Sequence, residues 1–450
     1  MKLLTDITPL RATPAFRRLW IGSTLSQVGG SMTTFAVTLQ VYETTGSTAA
    51  VGAIGVASLI PMLAIALPGG SLADIMDRRM LVLAMTAGQA AVSALLFVQA
   101  LLVAGRGHGT GWIWVVYVLV AASSGLSAVS EPARRAIIPG LVPADQLKAA
   151  LALNRVGFQA MLIAGPALAG VLTAAVGLKG CYLADTVSFA GALYGVARLP
   201  ALPPAGTGAR FQPRAHLRQI ASGLSFIGRT PALAGAFLTD VSATFFALPL
   251  SLFPAINAVR FGGDPAILGL FTTSIGVGGM VSAVLSGPIT RTSRQGLGML
   301  VSASVWGLAF AVFALSHALW LTLAALAVAG AADTFTVVFR GIIVQSVTPD
   351  DLRGRVNAAD YVVGAGGGQL GSLESGALGS LTTPVVSAVS GGLLTVATTA
   401  LIAVTLPAFR RWRVPAHDGP AARPETEQDA GATPVEVMPQ DAVPDDALPG

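Results

Sequence analysis

The feature that most constrains this chain is a run-and-gap pattern: twelve predominantly apolar stretches separated by short polar segments. A helix of about 20 such residues crosses the hydrocarbon of a bilayer. No water is available there to pair a backbone N–H or C=O, so each crossing segment must satisfy its own backbone as a helix. Soluble domains carry about 25% charged residues. This chain carries 11%, against 53% apolar, over 450 residues. That leaves too little polar surface for a water-soluble fold and predicts an all-α membrane protein. The abundance of Ala and Gly suits helices that pack closely in lipid. The formal charge of +5 is no argument for nucleic acid, because the placement of the basic residues matters more than their sum. The single cysteine, Cys181, excludes an intrachain disulfide and reads as a small packing residue.

The predicted spans run at about 16–42, 50–73, 79–103, 112–136, 149–176 and 180–199, then 232–259, 265–289, 297–315, 318–346, 356–380 and 384–406. Six spans, a longer polar linker and six more spans is the layout of two parallel repeats. The expectation is therefore a cytoplasmic N-terminus (1–15), two pseudo-symmetric six-helix bundles (16–199 and 232–406), a linker (200–231) and a tail (407–450). In the linker, Leu217, Ile220, Leu224 and Ile227 fall at helical spacing beside Arg214, Arg218 and Arg229. This predicts an amphipathic helix on the membrane surface, with a plain solvated linker as the competing reading. From Pro415 the tail holds seven prolines and eight acidic residues against one arginine, and is expected to be disordered.

Orientation follows from the basic residues. With the N-terminus in the cytoplasm, 23 Lys and Arg fall on inner segments and 3 on outer loops (Arg106, Lys179 and Arg260), while Arg155 lies within a span. The positive-inside rule then sets both termini in the cytoplasm of the inner membrane, which requires an even number of spans. Residues 1–18 hold Lys2, Arg11, Arg17 and Arg18 without a compact apolar core, so the first span is expected to act as the insertion signal.

Charges at membrane depth are costly and mark function by default. Glu131 and Arg155 stand at similar depth in spans four and five and could pair; Asp185 is near the outer end of span six. Asp333, near the middle of span ten, is the foremost candidate for proton coupling, followed by Asp240 in span seven and Glu374 in span eleven. A carboxyl withdrawn from water favours its neutral form, so it can take a proton on one side of the membrane and release it on the other. A structural interhelix pair or a helix-end charge is the competing reading for each. Gln27, Gln159 and Gln369 bring amides to the candidate cavity, and Phe245 and Phe246 could stack on an aromatic ligand or simply pack.

Between spans two and three, Gly69-Gly70-Ser71-Leu72-Ala73-Asp74-Ile75-Met76-Asp77-Arg78-Arg79 packs four charges into a tight turn. Gly70 admits another backbone, and Asp74 and Arg78 have the spacing of a one-turn ion pair. The pattern resembles the loop between helices two and three of the major facilitator superfamily of transporters, with Gly70, Leu72, Ala73, Asp74, Arg78 and Arg79 matching. Ile75 stands where that family usually has a basic residue, and Asp77 where it usually has glycine. In span five, Gly165-Pro166-Ala167-Leu168-Ala169-Gly170 partly resembles the Gly-Pro motif of proton-coupled exporters, with Gly165, Pro166 and Gly170 as a bend or pivot. The segments 131–143 and 152–154, 345–349 and 352–357, and the opening 14–19 look like the enterobactin-exporter-like branch, which also resembles macrolide and other drug exporters. Arg353 and Arg355, before span eleven, could pair with Asp350, Asp351 or Asp74 as a gating latch, or form ordinary salt bridges.

The resemblance implies a secondary transporter that exports a small organic molecule, a siderophore or a drug, driven by protons and needing no other cofactor. An uptake carrier and a non-transporting membrane sensor are the alternatives. Its expected partners are substrate, protons and the lipid bilayer, and a monomer is expected. An enzyme is not: the four His residues are scattered without metal-ligand spacing, and no phosphate-cradling Gly-rich loop is present.

Overall fold

Every regular element of the computed structural model is helical among the described residues, which are 6–104, 110–200, 213–290 and 292–414. Side chains are described for all of these except 66–75, 213–217 and a few single positions. The expected disorder beyond Pro415 lies outside the described residues.

In chain order the helices are α1 (Thr8–Ala12), α2 (Pro14–Thr45), α3 (Thr48–Ile75), α4 (Arg78–Ala104), α5 (Ile113–Leu141), α6 (Leu147–Val176), α7 (Leu178–Ala197) and α8 (Pro213–Arg229). They continue as α9 (Pro231–Phe246), α10 (Phe253–Phe261), α11 (Pro265–Thr290), α12 (Gln295–Leu315), α13 (Leu319–Val347), α14 (Arg353–Leu381), α15 (Pro384–Thr405) and α16 (Pro407–Arg410). The punctuation is chemical. Proline opens α2, α9, α11 and α15, where its missing N–H costs nothing. Gly46 closes α2 in the left-handed region at φ 62°, and Asp77 caps α4 by accepting from the N–H groups of Arg79 and Met80.

Nine stretches among the described residues are long and apolar enough to cross a bilayer, including α3 to α6, α11 to α13, α15 and the α9–α10 segment. The long helices α2, α7 and α14 are more polar, and part of that polarity is turned inward: Thr33 of α2 donates to Asp185 of α7, and Asp360 of α14 faces Arg340 of α13. The stretch expected as one seventh span is in fact two helices. Pro249 and Pro254 lack the N–H groups that a continuous helix would need, and the chain crosses from α9 to α10 through a 3₁₀ turn at Leu250–Leu252.

Helix α2 packs on α6 and α7, α3 on α5, and α4 on α5 and α7. The second part of the chain repeats these pairings: α9 packs on α14 and α15, α11 on α13, and α12 on α13 and α15. An aromatic cluster of Phe253, Phe271, Trp306, Phe310 and Phe313, mostly edge-to-face, fills the core of this second set. The linker helix α8 does form, but it docks on the start of α14, with Gly223 against the Arg355 carbonyl and Ile227 buried. Residues 407–414, the start of the tail, are ordered. Phe409 of α16 is fully buried between Gly235 and Gly296, because those two glycines leave room for its ring.

Glycines also set the α11–α13 crossing, where a side chain on Gly330 would strike the Ile275 carbonyl and one on Gly278 the Ala327 carbonyl. Gly330→Leu is expected to cost about 1–3 kcal/mol by overpacking, read as a lowered thermal midpoint in detergent. Gly341→Leu, where an added side chain meets open space, should leave the midpoint unchanged.

Candidate functional site

The densest buried charge lies among α9, α13 and α14. Arg340 is seven residues after Asp333 on α13, two turns along, so both side chains share one face. The Arg340 Nη1 lies 2.6 Å from Oδ2 of Asp240 on α9 and 3.2 Å from Oδ1 of Asp360 on α14. The side chains of Arg340 and Asp240 are only 14% and 8% exposed, while that of Asp360 is 34% exposed. Asp333 is within electrostatic reach of Asp240, Arg340 and also Arg155, which comes from α6 in the other half of the chain. One guanidinium thus ties three helices together, with two carboxyls bound to it and a third close by. Such a group can exchange partners when one carboxyl gains a proton.

Two seams join the first six long helices to the rest: α3 with α14, and α6 with α11. At the first, the Thr48 hydroxyl donates to the Gly376 carbonyl at 2.8 Å, and Gly55 lies against Gln369. At the second, the Gln159 amide donates to the Gly276 carbonyl at 3.0 Å and Thr273 to that of Ile163 at 3.2 Å. A methyl on Gly170 would sit 2.7 Å from the Pro265 carbonyl oxygen, and one on Gly269 would sit 2.5 Å from that of Pro166. These contacts gather toward the ends of the helices that carry the Gly46 and Gly262 turns. Toward the opposite ends, Gly364 and Gly366 of α14 face open space.

The other sequence candidates fall into place around this frame. Gly165, Pro166 and Gly170 lie in an unbroken α6; Gly165 packs on Ser31, and the other two form the α6–α11 crossing. Gln369 and Gln159 are seam residues, and Gln27 is half-buried on α2. Phe245 and Phe246 meet edge-to-face at 5.1 Å where α9 ends, beside Gly371 and Gly391. Glu374 is 14 residues beyond Asp360, about 20 Å up α14 at 1.5 Å per residue, and so belongs to the seam and not to the charge cluster.

Glu131 and Arg155 form no ion pair with each other. Arg134, one turn along α5, is 4.0 Å from Glu131, and Arg155 stacks over Phe158 at 5.3 Å. The surroundings of Gly70 and the side chain of Asp74 lie outside what is described. Arg78 and Arg79 donate to the carbonyls of Ala136 and Ala197, tying the α3–α4 turn to the C-terminal ends of α5 and α7, where a cation is favoured. Arg353 bonds Asp350 at 3.0 Å in an exposed pair on its own turn, and the Arg355 carbonyl receives α8. Arg340 and Asp360 were not singled out from sequence. The signal was there: Arg340, counted above with the inner basic residues, falls within the predicted span 318–346 and repeats the position of Asp333 two turns later, and Asp360 falls within 356–380.

A family model described as a transmembrane secretion effector matches residues 4–447. The chain belongs to that family, within the major facilitator superfamily. It is 29% identical over 415 residues to the enterobactin exporter EntS of Citrobacter koseri, covering 92% of this chain and 96% of that protein. EntS of Shigella boydii serotype 18 is 28% identical over 413 residues, covering 91% and 96%. Among solved structures, a POT family transporter in complex with 5-aminolevulinic acid aligns with a TM-score of 0.68 at 10% identity, covering 88% of this chain and 97% of that one. The nucleoside transporter NupG aligns at 0.67 and 13%, covering 89% and 100%; these likenesses show the shared fold. The protein is an integral membrane transporter and not an enzyme.

Removing Arg340 strands buried carboxyl charge. Arg340→Ala is expected to cost about 3–5 kcal/mol, seen as a lower thermal midpoint in detergent. Pairing it with Asp240→Asn should recover part of that loss, since the second change removes the charge left unpaired.

Proposed function

We propose that this transporter exports a small siderophore-like organic molecule across the cytoplasmic membrane, driven by proton entry. The observation that carries the reading is that a chain alike along its whole length to enterobactin exporters holds a shared-arginine carboxyl cluster beside a cross-half seam. Its architecture in this reading is twelve spans in two pseudo-symmetric bundles, 16–199 and 232–406, that rock about a central cavity. The repeated pairing of helices in the two parts of the chain supports that division. Both termini are cytoplasmic, so the joined ends of the seams face outward and the cavity opens inward.

Substrate then enters from the cytoplasm, among Arg155, Gln27, Gln159, Gln369, Phe245 and Phe246. Their guanidinium, amides and rings suit a ligand that is both anionic and aromatic. A proton reaching Asp333 and Asp240 cancels one of the charges that hold Arg340, which then rests on Asp360. With its tie to α13 weakened, α9 is freed to move against the seam. In the opposite state Arg353, Arg355 and the α3–α4 junction at 70–79 close the cytoplasmic side, with Asp74 of the last turn of α3 facing the start of α14.

The test is flux in reconstituted vesicles with a catechol-type siderophore as probe. An imposed pH gradient should drive proton-coupled uphill movement in the export sense, and an uncoupler should abolish it. Asp240→Asn and Asp333→Asn should each lower the driven rate at least about tenfold, equivalent to about 1.4 kcal/mol. Movement in the opposite sense would make the protein an uptake carrier, and no flux at all would make it a sensor. Either result overturns the proposal.

A further inference from the structure

The first half of the chain holds a buried carboxyl that the cluster above does not use. Asp185 of α7 is 2% exposed. Its Oδ2 accepts from the Thr33 hydroxyl of α2 at 2.7 Å and from the Ser93 hydroxyl of α4 at 2.8 Å. Its Oδ1 is buried beside Gly29 and the Ser188 hydroxyl, which is spent on the Asp185 backbone carbonyl at 2.7 Å and leaves Oδ1 without a hydrogen bond. Asp240 has Arg340, but no cation reaches Asp185 in an ion pair among the described residues. The ionisable groups on the helices packed against it are displaced along their axes. They are Arg17, Arg18, Tyr42 and Glu43 on α2, Arg78 and Arg79 on α4, Lys148 and Arg155 on α6, and Lys179, Cys181, Tyr182 and Tyr194 on α7 itself. Lys179, the closest cation along the chain, is six residues away, about 9 Å of helix rise.

Polar groups run from Asp185 toward the seam-joined end; the other way, Gln89 and Thr86 of α4 are engaged by Ser127 and Arg134 of α5. Ser93 also touches the Thr186 hydroxyl at 3.1 Å and the Tyr182 carbonyl at 3.4 Å. The Tyr182 hydroxyl donates to the Gln40 amide oxygen at 2.5 Å, and Gln40 donates to Gln99 at 2.9 Å. Gln40, Thr44 and Gln99 then line a cleft of about 10 Å³ beneath Trp112, room for about one water. On α2, α4 and α7 alike, the sequence of polar side chains leads from Asp185 to the end of the molecule where the seams are joined. In the other direction α2 and α7 close on each other, with Gly22 against Gly191 and Ala192.

We infer that Asp185 is a second proton-binding site, located in the first bundle and loaded from the seam-joined end through the Gln40–Gln99 cleft. An ionised carboxylate with two hydroxyl donors and no cation is costly at this depth, whereas a neutral acid with the same partners is not. Proton arrival from water in the cleft converts the carboxylate to the acid at Oδ1, and departure returns the proton to water. No other bond changes. The inference rests on the proton-driven reading only for the use to which the bound proton is put.

The experiment uses the full chain in detergent without substrate. Dicyclohexylcarbodiimide adds whole to a protonated carboxyl and remains as an N-acylurea, located by peptide mass. The expected result is an adduct on Asp185 that declines as the buffer is made alkaline, persists in Asp240→Asn and in Asp185→Glu, and is absent from Asp185→Asn. Absence of the adduct at every pH while Asp333 is labelled would overturn the assignment. So would protection by sodium at fixed pH, which would make it a cation site. In vesicles, Asp185→Asn should retain substrate counterflow but lose at least tenfold of the rate driven by a pH gradient; an unchanged driven rate would remove Asp185 from coupling. Because the labelling needs no substrate, it stands or falls separately from the identity of the exported molecule.

Discussion

Two helices in lipid approach only as closely as their smallest facing side chains allow, and in this chain the closest approaches are concentrated at glycine. Both seams between the halves depend on it. At the α6–α11 crossing, Gly170 lies on the Pro265 carbonyl and Gly269 on that of Pro166, so backbone meets backbone with no side chain between. Lipid gives no hydrophobic drive for such a contact; van der Waals packing and a few hydrogen bonds must hold it. Among the described residues the side-chain hydrogen bonds across the seams are few and neutral, from Thr48, Gln159 and Thr273. A contact of that kind can hold one end of the molecule shut and still be broken during a cycle, which a seam of ion pairs buried in lipid could not be.

Charge follows the opposite rule. A guanidinium at membrane depth needs partners, and Arg340 has two carboxylates on two other helices. The attraction stabilises the arrangement only while both sides keep their charge, since removing one partner of a buried pair is far more costly than never having had the pair. The second half of the chain is therefore held in part by an interaction whose strength changes with a single proton. The first half of the chain has no such tie at Asp185, whose side-chain partners are hydroxyls and not a cation.

Much of this was legible in the residues. The apolar runs, the basic turns and the pairs of Gly and Pro gave the helical membrane fold, and the depth of Asp240 and Asp333 marked them as unusual. What was hidden depended on contact across the chain. Arg340 carried the same charge as the loop arginines that follow it, so only its neighbours Asp240 and Asp360, 100 residues before it and 20 after, reveal it as internal. Glu131 and Arg155 shared a depth but not a facing direction, and each found a neighbour on its own helix. Asp77, where the resemblance has glycine, accepts from the N–H groups of Arg79 and Met80 at the start of α4. The break after Phe246 could have been anticipated from Pro249 and Pro254, but a long apolar run outweighs two prolines when hydropathy alone is counted.

That break has a mechanical consequence. Helix α9 is a rod of 16 residues, about 24 Å at 1.5 Å per residue. Asp240 sits inside it, and its far end, Phe245 and Phe246, abuts Gly371 of α14 and Gly391 of α15. The turn that follows touches both α3 and α14, the two sides of a seam. A continuous helix through residue 259 would spread any shift of α9 along a span anchored at both ends. Broken at Ala247, α9 can pivot on its own packing, and in the proposed cycle a change in its hold on Arg340 would reach the place where the two halves meet.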